Sequence, residues 1–117
     1  MSRDFKVTVL ASAGGTTYSP VYVPDYHANG FYVSLLIDAQ GSANYTVQHT
    51  PDDPFAQNLN SPTNTAVWFN HEYLTAETTA KTDGNYAFPV KGIRLALSSA
   101  ASASATFWII QGEGFGG

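Results

Sequence analysis

The residues best suited to holding a metal or moving a proton are His27, His49 and His71, with the carboxylates near them in the chain, Asp52, Asp53 and Glu72. His49 and the Asp pair flank one loop, and His71 leads the next segment. Zinc sites bring ligands together at short spacing, with histidines about three to five residues apart, and no such pair occurs here. An ordinary structural or surface role is therefore expected, and no metal. Asp52 and Asp53 could offer oxygen to calcium together with loop carbonyls, but the EF-hand pattern is absent. Between Pro51 and Pro54, an Asp pair reads more simply as a turn cap that accepts from nearby backbone N–H groups. A glycosidase would need two carboxylates flanking a scissile bond, and nothing marks Glu72, Glu77 or Glu113 for that work. There is no Gly-x-Ser-x-Gly elbow and no Gly-rich phosphate loop opening a helix. The expectation is a non-enzyme with no catalytic residue and no cofactor.

Aromatic residues are the stronger alternative. Tyr18, Tyr22, Tyr26, Tyr32, Trp68, Tyr73, Tyr86 and Trp108 would suit a sugar-stacking platform on a β-sandwich. They would equally fill a core or an interface, where the polar ends of Tyr and Trp find partners. With few long aliphatics available, core duty is the expectation, and a carbohydrate-binding module is a rival reading.

The elements that would position these side chains are short strands. Phe5, Val7 and Val9 alternate with Lys6 and Thr8, which predicts a strand with one buried face. Ala11 to Gly15 reads as a turn. Thr16 to Val23 is extended but interrupted by Pro20, so it predicts an edge or broken strand. Asn29-Gly30 is a turn dipeptide. Phe31, Val33, Leu35 and Ile37 share one face, and Tyr32 and Leu36 make the other face apolar too, which predicts a central strand. Asp38 to Ser42 reads as the turn to a partner strand over Tyr45 to His49. Thr50 to Thr65 is a long Pro-rich loop of the kind that makes contacts. A short strand over Ala66 to Asn70, a loop over His71 to Ala80 and a turn at Asp83-Gly84 follow.

The last third, Asn85 to Gln111, reads as strand to Phe88, break at Pro89, candidate bulge at Gly92, strand over Ile93 to Leu97, Ser/Ala loop over Ser98 to Ser104, and final strand from Ala105. About eight short strands and no helix predict an all-β, single-domain antiparallel β-sandwich, jelly-roll-like. It would span residues 1–117, with a flexible amino-terminal arm (1–4) and a Gly-rich tail (112–117).

Composition narrows the partners. Charged residues are 12% of the chain, with net charge −4 and no cysteine, about half the usual charged fraction of roughly a quarter. The five cations are scattered, whereas nucleic-acid binding needs a concentrated basic footprint. No nucleic acid and no disulfide are expected. No apolar run approaches the ~20 residues that span a membrane, and MSRDFKVTV lacks a leader pattern, so a soluble product of the cytoplasm is expected.

Three segments carry a resemblance: YTVQHTPDDPF (Tyr45 to Phe55), AVWFNH (Ala66 to His71), and DGNYAFPVKGIRLAL followed by FWIIQG (Asp83 to Leu97, Phe107 to Gly112). Together they resemble small virion structural proteins of tailed bacteriophages, in which a hydrophobic-Pro-Val-x-x-Ile-Arg-Leu segment precedes a Gly-rich turn and a strand ending in Ile-Gln. This chain carries Ser/Ala where glycines would stand. The resemblance implies a capsid decoration, or cement, protein on the virion surface, a homo-oligomer (dimer or trimer) that clamps neighbouring major capsid protein subunits. A tail or baseplate component would share these features. The Thr50 to Thr65 loop and the Met1 to Lys6 arm would make the contacts, with Arg3, Phe5, Asp52, Asp53, Phe55 and Arg94 as contact residues. Arg94 lies on the polar face of its strand, where a salt bridge at the core rim is the competing expectation.

Overall fold

The computed structural model describes residues 3–11, 15–27, 31–54, 58–61 and 65–111, with the backbone alone at 3, 4, 100 and 101. Six strands run through them: β1 (Arg3–Ala11), β2 (Thr16–Tyr18), β3 (Val33–Thr50), β4 (Phe69–Asn70), β5 (Lys81–Tyr86) and β6 (Gly92–Gln111). Every pairing is antiparallel. Among the described residues there is no helix, and so none long and apolar enough to cross a membrane.

The fold is organised by β3 and β6, which pair from Val33↔Gln111 to Thr50↔Gly92. A straight strand of 18 residues would run roughly 60 Å, yet the longest dimension of the molecule is 45 Å. The two strands therefore bend together. The register shifts between Gly41 and Ala43, and side chains from the second half of β3 reach β5, which pairs with its first half. The Tyr45 hydroxyl donates to the Thr79 carbonyl at 2.6 Å and lies 2.8 Å from Thr82 Oγ1, and Thr82 pairs with Ile37. Nearer the ends of the strand, His49 Nδ1 meets the Tyr86 hydroxyl at 2.7 Å, and Tyr86 pairs with Val33. One layer is thus β1, the second half of β6, the first half of β3, and β5. The other is β2, the first half of β6, the second half of β3, and β4.

Alternation explains why the layers face each other. Val33, Leu35, Ile37, Ala39, Ala43, Tyr45 and Val47 on β3 are buried, as are Ile93, Leu95, Leu97, Ala103, Ala105, Phe107 and Ile109 on β6. One face of a single continuous sheet closes on itself around a single apolar cluster. The all-β antiparallel single domain stands as expected, with six strands in one sheet among the described residues. Passage between layers takes place inside β3 and β6.

Several local expectations are corrected. Asp38 to Ser42 is not a turn, and Ser98 to Ser104 is not a loop: both lie within strands. Their small side chains permit the bend. Gly41 sits at φ 78°, and a Cβ there would come 2.9 Å from the Ser102 carbonyl oxygen, a contact that only glycine avoids. The bulge is at Gly41/Ala43, while Gly92 pairs regularly with Thr50. Asp83-Gly84 lies mid-strand in β5 because Leu74 crosses it, with Cδ1 2.8 Å from where a Cβ would stand. The strand expected over Ala66 to Asn70 shortens to Phe69–Asn70. β3 is central, yet Tyr32 and Leu36 are exposed, since nothing described covers the outer face. The backbone of Arg3 and Asp4 pairs with Gln111 and Ile110, so β1 includes half of the expected arm. The rest of that arm, Asn29-Gly30 and the tail lie outside the described residues.

Gly41→Ala tests the bend. The left-handed conformation costs an L-residue about 1–2 kcal/mol, and the backbone contact adds to it. Urea denaturation should show a total loss of about 2–4 kcal/mol, and a loss below about 0.5 kcal/mol would mean that the bend does not depend on this glycine. Tyr45→Phe, which removes the bond from one layer to the other layer's edge, should cost about 1–2 kcal/mol.

Candidate functional site

With Ile93 and Leu95 facing inward, Arg94 must face outward from the centre of the second layer. Gln48 of β3 lies opposite it, and Asn70 of β4 lies opposite Gln48. A polar row crosses the three strands: Arg94 Nε donates to Gln48 Oε1 at 2.8 Å, and Gln48 Nε2 donates to Asn70 Oδ1 at 3.1 Å. Tyr18, on the edge strand β2, brings its ring to 4.1 Å from the guanidinium carbon. Trp68, the residue before β4 at the other edge, comes to 3.9 Å. Each such contact is worth about 0.5–2 kcal/mol. Burial lowers the Arg94 pKa from its ordinary value, opposed by Tyr18, but arginine remains charged in proteins. Stacking stands where a rim salt bridge was expected: among the described residues Arg94 makes no ion pair, and its Nη groups find no acceptor.

Beside Arg94 runs a groove of about 790 Å³. Its walls include Thr16, Thr17, Ser19, Asn60 and Ser61, with Leu59 beneath. The Val21 N–H donates to Asn60 Oδ1 at 2.8 Å, which ties the long loop to the chain after β2.

Turning the corner from Trp68 to Phe69 leads to an aromatic end of the domain. Phe69 stacks on His49 with centroids 5.9 Å apart, and Tyr86 and Phe88 meet the His49 ring edge-on at 4.9 and 6.0 Å. Val67, Phe69, Tyr73 and Phe88 are at least half exposed around it. His71 sits on the other side of Tyr86, at 4.9 Å. Its Nδ1 accepts from the Tyr73 and Leu74 N–H groups at 3.1 and 3.2 Å, so Nε2, 2.8 Å from the Asn85 carbonyl oxygen, carries the proton and donates. Both nitrogens of His71 therefore serve the backbone. Burial lowers the His49 pKa, with His71 as a smaller cause in the same direction, and burial raises that of Tyr86.

The residues singled out in the sequence scatter. Among the described residues no three His or carboxylate side chains gather into a cation-holding group. His27 lies in a separate turn beside Tyr26. Asp52 acts as a loop staple: its Oδ2 accepts from the Val67 N–H at 2.6 Å, and its own N–H donates to Thr50 Oγ1 at 3.1 Å. Asp53 is exposed. Phe5 packs on Tyr22 and Phe107 at the core edge. The Arg3 side chain, Phe55 and Glu113 lie outside the described residues. Leu59 is buried, so the Thr50 to Thr65 loop is partly structural. Tyr22 and Tyr86 take the expected core duty, whereas Tyr18, Tyr32 and Tyr73 are exposed.

No protein-family model and no curated protein matches the chain. A solved structure from work on Bacillus endospore appendages, described as a novel family of disulfide-linked pili, is similar over 97% of this chain and 88% of its own, at 14% identity and a TM-score of 0.46.

His49 gives the site a pH signature. Its native pKa lies below the ordinary 6.5, so below about pH 6.5 the unfolded chain takes up a proton before the native ring does. The stability that neutral His49 contributes is whole above about pH 6.5 and is lost as pH falls through the native value. Denaturation between about pH 8 and about pH 5 should show a shallower pH dependence for His49→Gln than for the parent. Identical profiles would remove His49 as a source.

Proposed function

We propose that this chain is a non-enzymatic structural module that docks onto a protein assembly through the face around Arg94 and the adjoining aromatic rim, as a capsid decoration protein of a tailed bacteriophage would. The observation that carries this reading is the pairing of Tyr18 and Trp68 around Arg94 on a hydrogen-bonded sheet, with Val67, Phe69, Tyr73 and Phe88 exposed nearby. Interface cores are enriched in Tyr, Trp, Phe and Arg, and a few such anchors hold most of the binding energy. Phe69 and Phe88 adjoin on the two sides of His49, and exposed apolar side chains that cluster suit an interaction surface. Tyr18, Phe69 and Arg94 stand on strands, so ordering these three on contact costs little entropy.

The capsid as the assembly, the major capsid protein as the partner, and the virion surface as the location come from the resemblance of the three segments. In that setting each copy clamps neighbouring subunits, and copies associate with one another. Neither nucleic acid nor membrane enters this reading.

Cosedimentation with undecorated heads assembled from the cognate major capsid protein tests it. The parent protein should load at many copies per head, which separates a head protein from a tail component. Trp68→Ala and Phe69→Ala together should lower affinity at least about tenfold, equivalent to about 1.4 kcal/mol, with thermal unfolding still cooperative. Undiminished loading of the double variant, or no loading of the parent, would overturn the proposal.

A further inference from the structure

We infer that the groove beside Arg94 is a carboxylate-binding site, and that its ligand is an aspartate or glutamate side chain of a protein partner. The source of the carboxylate rests on the docking reading above; the site itself does not.

A guanidinium has N–H groups on Nε and on both Nη atoms. Arg94 uses Nε on Gln48, and its Nη groups have no acceptor among the described residues. This is a half-buried cation with no ion pair among the described residues, in a chain with nine acidic residues against five basic ones. None of the described carboxylates stands there. Three contacts hold the group in place: Gln48 fixes Nε, while Tyr18 and Trp68 lie against it from the two edges of the layer. What remains open is the Nη fork, edge-on, whose geometry matches a planar carboxylate held by two parallel N–H···O bonds.

The surroundings narrow the ligand further. Among the described residues Arg94 is the one charged side chain lining the groove, so a single negative charge is matched, whereas a phosphate dianion would call for more donors of positive charge. The ring faces turned to Arg94 are occupied by the guanidinium and cannot also stack on a sugar. A slim acidic side chain enters such a slot, and the hydroxyls of Thr16 and Thr17 and the amide of Asn60 along the wall suit the peptide backbone that carries it.

The test is a titration of the isolated, isotope-labelled domain, followed at the Arg94 Nε–H and Trp68 indole N–H resonances, with Trp68→Phe distinguishing that indole from Trp108. The probes are the capped tripeptides Gly-Glu-Gly and Gly-Gln-Gly and a trigalacturonate. The Glu peptide should shift both resonances saturably with Kd on the order of 1 mM, and the Gln peptide should not. Arg94→Lys keeps the charge but loses the fork and should weaken binding at least about tenfold. Gln48→Glu, which supplies an internal carboxylate beside Nε, should abolish it while the domain stays folded. Equal response to both peptides, or undiminished binding by Gln48→Glu, would overturn the site. Trigalacturonate binding tenfold tighter than the Glu peptide would overturn the protein source. If heads fail to load while the Glu peptide binds as expected, the docking reading falls and the site stands.

Discussion

The joint bend of β3 and β6 is the constraint on which the rest depends. Two paired strands cannot turn a corner together unless their hydrogen bonding persists through it and nothing bulky stands on the inside. The Gly41 conformation and the Ser/Ala stretch opposite meet both conditions. Once the pair is bent, its two halves present inward faces to each other, and the spacing between layers is set by what fills it. Tyr45 and Tyr86 do so with their rings, while their hydroxyls reach Thr82 and His49 on the opposite side. β1, β2, β4 and β5 then add to edges that the central pair has already placed.

The same constraint gives the Arg94 face its character. A side chain in the middle of a layer, hydrogen-bonded across two neighbouring strands, is held more tightly than one on a loop. The rings that bracket it come from the two edges, so the groove registers whether β2 and the Val67 to Asn70 segment are both in place. In a protein with so little charge, a cation shielded by aromatics and left without a counter-ion is the feature that internal stability explains least.

Much of the architecture was legible because alternation is a local property. Phe5 to Val9, Val33 to Ile37 and Ile93 to Leu97 each declare their inner face without reference to any neighbour, and Pro20 does interrupt the edge after β2. The bend was not legible. Ala, Ser and Gly have weak β preference, and a run of them reads as loop or helix until a paired partner demands small side chains. Asp83-Gly84 has the wording of a turn, and only the position of Leu74 explains its place inside β5. The site was hidden for a different reason. Arg94 was visible as a polar position on a strand, but its two rings lie far away in the chain, and nothing in their own segments marks Tyr18 or Trp68 apart from the aromatics that fill the core.

Sharing two strands between both layers also shapes how the molecule comes into being. Neither layer has a centre until the Gly92 to Gln111 segment meets Val33 to Thr50, across more than forty intervening residues. Both halves of the sheet share these two strands, so pairing of distant segments dominates assembly. Such topologies fold on the millisecond-to-second scale, about as slowly as two-state domains go. The same interlock resists piecemeal loss: to open one layer, the chain must break strands that are also the backbone of the other.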